Sequence, residues 1–427
     1  MVVNNMEFLD KLTKEALDFD YILSNIKTIT PYGKSYKENL RPFLPGEESE
    51  LIEELSKVER VMKHIENREF KRKLNDILYH IKDLRHSVRR AMEGNVLSEV
   101  ELFEIKIFLY LIRDLEKLIK KFGVDDLPDI EIKRIEVLEE LLDPEDTGLW
   151  TFYIYDCYSK ELQRLRKSKR ENENHIKTEI KKLKEKIQKD LKLDIRPDGT
   201  LIISKEDIDT LESIEFHPHL SYVSETYMNI KFKIKPTDEI NSLEKRQHYI
   251  KEREEEEEFA IREKLSHEIA NNRKALIRNM ASIGKLDLIL GKAQYAMDIN
   301  GVRPEIIEDH HISIIDGRHP KVEEHLQHRG LGFTPITVEL NKGVTCITGA
   351  NMGGKTISLK LVGLLTAMAQ YGLFVPAKKA TFGLSNFISA SIGDTQSADE
   401  GLSTFGGEIK LVQEAIMKSN NRGIILI

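Results

Sequence analysis

From Met1 to about Gly123, apolar residues recur at helical spacing. Leu51, Leu55, Val58 and Met62 make one such series, and Leu74, Ile77 and Ile81 another. Ser35 to Pro45, with two prolines, reads as a connection, and the pattern breaks from about Gly123 to Thr147, near Pro128, Pro144 and Gly148. Two long helices then flank an insert. The outgoing one runs from about Cys157 to Lys192, where Ile176, Ile180, Leu183, Ile187 and Leu191 form a narrow apolar seam. The returning one runs from about Asp238 to Met297. Its seam is Ile261, Leu265 and Ile269, continued by Leu276, Met280 and Ile283. Between them, Leu193 to Pro236 alternates in places and carries Asp198-Gly199, a hairpin turn signal. The spacing predicts a helical hairpin that goes out, carries a small mostly β tip, and returns.

From about Ile306 the period changes again. Strand-like runs at Ile312–Ile315, Thr337–Leu340, Val344–Thr348, Ile388–Ile392 and Gly423–Ile427 alternate with helical stretches, which predicts an α/β nucleotide-binding domain. The expected fold class is therefore mixed: a mainly α-helical core with long lever-like helices and a small β tip, followed by an α/β P-loop domain. The expected boundaries are 1–150 for the helical core and 151–192 for the outgoing helix. The tip follows at 193–236, the returning helix and connector at 237–305, and the P-loop domain at 306–427.

Composition narrows this picture. Charged residues make up 32% of the 427 positions and aromatics only 7%, a balance that favours long solvated helices over an all-β fold. A net charge of −7 means that any nucleic-acid surface has to be local. The two cysteines, Cys157 and Cys346, supply no disulfide framework, and a reducing cytoplasm fits them. No signal peptide and no membrane span is expected. The outgoing helix carries thirteen Lys/Arg against six Asp/Glu, while the returning one contains Glu254 to Glu258 unbroken. Opposite signs facing across the pair would favour its register, and a solvated face would account for the glutamates equally well.

The most specific chemistry lies at Gly349-Ala350-Asn351-Met352-Gly353-Gly354-Lys355-Thr356, which fits the phosphate-cradling pattern G-x-x-x-x-G-K-[ST]. Its context suits it: Val344–Thr348 reads as a buried strand before it, and Ile357–Gln370 as a helix after it. Glycines let backbone N–H groups turn towards phosphates, and a helix N-terminus favours the anion. Lys355 would reach the β- and γ-phosphates of ATP, and the Thr356 hydroxyl would ligate Mg²⁺. His310, His311, His319, His325 and His328 are numerous enough for a metal cluster, but their spacing fits no compact site.

These residues resemble the MutS family of ATPases. Thr348 to Thr356 is similar to that family's T-G-P-N-M-G-G-K-[ST], departing only at Ala350. Asp316-Gly317-Arg318-His319-Pro320 resembles its E-G-R-H-P. Ser403-Thr404-Phe405 with Glu408 resembles its S-T-F-x-x-E, and Gly372 to Ala377 and Asp287 through Arg303-Pro304 also fit. The resemblance implies ATPase domains that dimerise, each nucleotide site being completed by its partner. It places Ser403 on the γ-phosphate held by the other subunit; Ser403 also fits a helix N-cap, and both roles can hold at once. It offers Phe333 as the aromatic on adenine, a residue that an ordinary core position explains equally well.

Three departures bear on function. No F-x-E mismatch-reading element is present; Trp150 to Tyr155 is aromatic but lacks the acid, so the chain resembles the paralogous branch without that domain. The tip is acidic, with five Lys/Arg against eight Asp/Glu, a poor clamp for phosphates unless Lys231, Lys233 and Lys235 grip from one strand face. A solvated edge strand with protective lysines is the reading favoured for those three. Third, Arg422 to Ile427 resembles the strand that leads into the Walker B Asp-Glu, and neither carboxylate follows. The expectation is a partial sequence that binds nucleotide but does not turn it over. The leading expectation for function is an ATP-driven clamp on DNA, in mismatch-repair-related or branched-DNA processing. The alternative is a MutS-like ATPase that remodels a protein partner, such as a lysine aminomutase, without DNA.

Overall fold

The computed structural model describes residues 7–124, 127, 129–349, 354–392 and 422–427, with 409, 413 and 417. The N-terminal helices are α1 (Lys11–Ala16), α2 (Phe19–Asn25), α3 (Pro31–Glu38), α4 (Glu48–Ile65) and α5 (Arg68–Tyr79). After them come α6 (Arg85–Met92), α7 (Glu99–Phe122), α8 (Glu136–Leu142) and α9 (Lys160–Leu191). The next stretch holds β1 (Thr200–Ser204), α10 (Ile208–Glu215), β2 (Leu220–Glu225), β3 (Asn229–Ile234) and α11 (Asp238–Asn271). The remainder consists of α12 (Arg273–Asp298), β4 (Glu305–Ile307), β5 (Ile312–Gly317), α13 (Pro320–His328), β6 (Ile336–Leu340), α14 (Lys355–Gln370), β7 (Lys379–Gly383), β8 (Phe387–Ala390) and β9 (Gly423–Leu426). The architecture is mixed and mostly helical, with small sheets. No described helix is long and apolar enough to cross a membrane.

The chain forms two compact units, one of residues 1–85, 107–135 and 273–427, the other of 86–106 and 136–272. In the first, the helical spacing expected near the N-terminus forms α4, which buries Leu51, Leu55, Val58, Val61 and Ile65. Met62 is only half-buried, because a period of 3.6 carries the buried stripe back onto Val61. Ser35 lies inside α3 rather than in a connection; Thr30 accepts from Gly33 N as N-cap and Pro31 sits at the first helical position. The core of this unit gathers around α14, whose Leu361, Leu364, Leu365 and Met368 are buried with Phe19 and Ile22 of α2 and with Ile314, Phe382 and Ile388 from the strands.

The strands of this unit correct the expected α/β sheet. They make a four-stranded sheet of order β4-β7-β5-β6 and a separate parallel pair, β8-β9. In the larger sheet β5 is antiparallel to both neighbours and only β4–β7 is parallel. Val344–Thr348, expected as a buried strand, forms none, and Val344 is fully exposed. The run is apolar enough for a strand, but a strand also requires a neighbouring ladder. β8 and β9 pair with each other, and no described strand runs beside 344–348.

In the second unit, α9 and α11 lie antiparallel. Ser159 bonds Glu257 at 2.6 Å, Arg166 bonds Glu258 at 2.7 Å, and Asn172 bonds Gln247 at 2.9 Å. The expected continuous apolar seam is interrupted. Leu183 and Ile187 join the tip's own core with Leu201, Ile203, Phe232 and Ile240, whereas the middle of the pair is polar. There Arg166 and Lys169 share Glu254 at 3.3 and 2.6 Å. Glu254, Glu257 and Glu258 thus face α9, while Glu255 and Glu256 pair with Lys251 and Arg253 on their own helix, so both readings of the glutamate run hold in part. The returning helix is two helices, α11 and α12, broken at Asn272, where the chain also passes between units.

The tip holds a three-stranded antiparallel sheet of order β1-β3-β2, with α10 added. Strand β3 is central, which overturns the edge-strand reading of Lys231 and Lys233. Phe232 points into the tip core between them and leaves both lysines on the opposite face. Asp198-Gly199 closes a tight turn at the start of β1, with Gly199 N donating to Arg196 O at 2.9 Å, and does not join two strands of the sheet.

At the base of this unit a fully buried ammonium, Lys106 on α7, donates to Asp143 Oδ1 at 3.0 Å, Tyr155 OH at 3.0 Å and Thr151 O at 3.1 Å. Asp143 also accepts from the Gly148 amide at 2.9 Å and the Thr147 hydroxyl at 2.8 Å. The aromatic Trp150–Tyr155 segment is held by this charge-compensated knot.

Candidate nucleotide site

The phosphate-loop pattern ends where α14 begins. Gly354 caps that helix in the left-handed region at φ 84°, a conformation that costs an L-residue energy. Lys355 is the first helical residue, and its Nζ reaches back to donate to Gly349 O at 2.7 Å. The ammonium therefore links Gly349 to the start of α14. Ser358 completes the first turn, its N–H donating to Gly354 O at 2.9 Å. The N–H groups ahead of it have no acceptor within the helix, which leaves donors and the positive end of the helix dipole at the start of α14. Thr356 is exposed on this first turn.

Phe333 lies half-buried against the core around α14. Ala350, Asn351, Met352, Gly353 and Ser403 lie outside the described residues.

The element Asp316–Pro320 is a structural junction beside this helix. A Cβ on Gly317 would sit 2.6 Å from Ile314 Cγ2 and 3.1 Å from Leu361 Cδ2, so only glycine lets β5 approach α14 this closely. Arg318 forks onto both oxygens of Glu323 at 3.0 and 2.9 Å and donates to Ile299 O at 2.7 Å, tying α13 to the end of α12. His319 is wholly buried, with neither ring nitrogen hydrogen-bonded among the described residues. Its Nε2 lies 3.9 Å from Asp18 Oδ2, a carboxylate that also faces Lys321 at 2.5 Å and Lys360 of α14 at 3.6 Å. Burial pushes the His319 imidazole down to about 4, against the pull of Asp18.

A second buried acid, Asp287, accepts from the amides of Ile29 and Thr30 and from the Thr30 hydroxyl at 2.7–3.0 Å. Burial raises its pKa against those bonds. The sequence singled out Asp287, Arg318 and His319 but missed Asp18, Lys321, Lys360 and Glu323. Nothing in local spacing marks them, since they are some 300 residues apart in part and meet only through packing.

The described part of the motif carries donors that would suit a triphosphate: a left-handed glycine at a helix N-terminus, an ammonium that reaches Gly349 O, and an exposed hydroxyl one residue on. Gly349, Gly354 and Lys355 would hold the phosphates and Thr356 the Mg²⁺.

The chain is similar to several known proteins. Residues 345–427 match the family model described as MutS domain V. The chain is 26% identical over 447 residues to Endonuclease MutS2 of Halothermothrix orenii, covering 98% of this chain and 53% of that protein. It is 29% identical over 436 residues to Endonuclease MutS2 of Clostridium kluyveri, covering 98% and 52%. To the protein of that name from Shouchella clausii it is 30% identical over 364 residues, covering 81% and 44%. The chain spans about half the length of the curated relatives it matches.

Proposed function

The chain belongs to the MutS family, and from that premise we propose that it is an ATP-binding protein that couples nucleotide state to clamping of DNA. The observation that carries the nucleotide half is Lys355, which starts α14 and crosses the loop to Gly349 O. Bound ATP would offer phosphate oxygens in place of that carbonyl, and the Thr356 hydroxyl would sit beside its Mg²⁺. The chemistry supplied by the bound nucleotide is phosphoanhydride hydrolysis; this chain's residues supply positioning and charge. In this reading Phe333 packs on adenine and Ser403 reaches the nucleotide of a second subunit in a homodimer formed through the ATPase domains. The helices α9 and α11 act as a lever, and residues 193–236 as the clamp.

One observation favours a second reading. The tip is acidic, which disfavours phosphate and favours a protein target for the same ATP-driven lever. Fluorescence anisotropy of labelled duplex and four-way-junction DNA decides between them, titrated with and without a non-hydrolysable ATP analogue. We expect binding that depends on nucleotide and weakens steeply with salt, and that loses its nucleotide dependence in Lys355→Ala. Absence of binding at low salt would reject the DNA clamp and direct the search to a protein partner.

A further inference from the structure

The antiparallel register of α9 and α11 uses only some of the cations on α9. Arg166 and Lys169 are spent on Glu254, Glu258 and Asp156. The outward face of α9 carries a different set: Lys167, Arg170, Asn174, Lys177, Lys181 and Lys184, spaced three and four residues apart. That spacing places them on one stripe of five cations and one amide, with Glu171 and Glu185 at its margin. It spans about 26 Å at the rise of an α-helix.

Internal neutralisation is slight. Lys167 and Lys181 stand 3.9 and 3.8 Å from Glu171 and Glu185, and their side chains are 78% and 79% exposed. Lys184 donates to the Pro197 carbonyl at 2.8 Å. Arg170 and Lys177 are exposed and have no carboxylate within ion-pairing distance among the described residues.

We propose that this face of α9 is a docking surface for the phosphate backbone of duplex DNA, separate from the tip. The charge pattern chooses the partner. A protein interface needs an apolar centre, and α9 exposes no large apolar side chain; its isoleucines and leucines lie on the opposite side. What remains is a row of cations with an amide, the groups that contact phosphates. Duplex DNA presents about fifteen phosphates over a comparable 26 Å of its axis, counting both strands. The acidic tip then ceases to be an objection, because the cations lie on the lever rather than on the tip. The inference rests on the DNA-clamp reading and extends it to a second contact.

The test compares three proteins on a fluorescent 30-base-pair duplex across a range of salt: the parent chain, Arg170→Gln/Lys177→Gln/Lys181→Gln, and Lys231→Gln/Lys233→Gln in the tip. Glutamine keeps helix propensity, and circular dichroism checks that α9 survives. The stripe variant should bind roughly tenfold or more weakly at low salt, and its slope of log affinity against log salt should shrink by about 3, one counterion per lost phosphate contact. An unchanged affinity and slope in the stripe variant, with loss in the tip variant, would overturn this proposal and leave the clamp reading standing. Failure of the parent chain to bind would sink both. A preference for an RNA duplex of equal length, lost in the stripe variant, would overturn the assignment to DNA.

Discussion

His319 shows how burial of a single side chain makes stability depend on pH. The imidazole is wholly enclosed, and its folded pKa of about 4 lies below its ordinary 6.5. A depressed pKa means that the unfolded chain binds the proton more tightly. The contribution is therefore complete above pH 6.5 and is lost as pH falls towards 4. Asp18, Lys321 and Lys360 face the ring, and the two lysines reinforce the preference for the neutral form. At pH 4.5 the expected loss from this residue is about 2 kcal/mol. Urea denaturation at pH 7 and 4.5 should show a larger acid loss in the parent than in His319→Gln, and equal losses would contradict the assignment. Lys106 is the complementary case. Its buried Nζ is satisfied by Asp143, Tyr155 and the Thr151 carbonyl. Neither environment was legible in sequence, since neither partner set is local; His319 stood out only through the Asp316–Pro320 motif.

At the scale of elements, α14 depends on one conformational requirement at its start. Gly354 adopts φ 84°, and among the described residues no atom lies within 4 Å of a Cβ built there, so the glycine is needed for backbone freedom rather than for space. Gly354→Ala should lower stability by about 1–2 kcal/mol, the cost of a left-handed L-residue, and weaken nucleotide binding with it. Denaturant midpoints measure the first effect and nucleotide titration the second; a variant as stable as the parent would refute the strain argument. The helices α9 and α11 illustrate what pattern reading achieves. Their extents were legible because the period of apolar residues is a property of each helix alone. The polar middle of the pair was not, because it reflects which residues meet across the interface, and neither was the break at Asn272. The same holds for β3. Alternation placed its lysines on one face, but only strand order made it central.

For the whole molecule, any ligand that binds only the folded state stabilises it by mass action. Mg²⁺-ATP at a hundred times its dissociation constant should add about 2.7 kcal/mol, read as a rise in Tm. Lys355→Ala should abolish that rise, because the ammonium that would contact the phosphates is lost. A Tm that ignores Mg²⁺-ATP in the parent chain would count against the nucleotide site.

The sequence alone determined the helical character and the long charged helices, and it carried the phosphate-loop pattern and the resemblance to the MutS family. Each of these depends on spacing within a short window. Tertiary structure decided the rest. It left Val344–Thr348 without a ladder among the described residues, split the strands after residue 305 into a mainly antiparallel sheet and a parallel pair, and buried His319 beside Asp18. It also selected which cations of α9 serve the helix pair and which face solvent. The reason is the same throughout: a residue's neighbours across the fold set its hydrogen bonds, its burial and its charge environment, and these neighbours are distant in sequence.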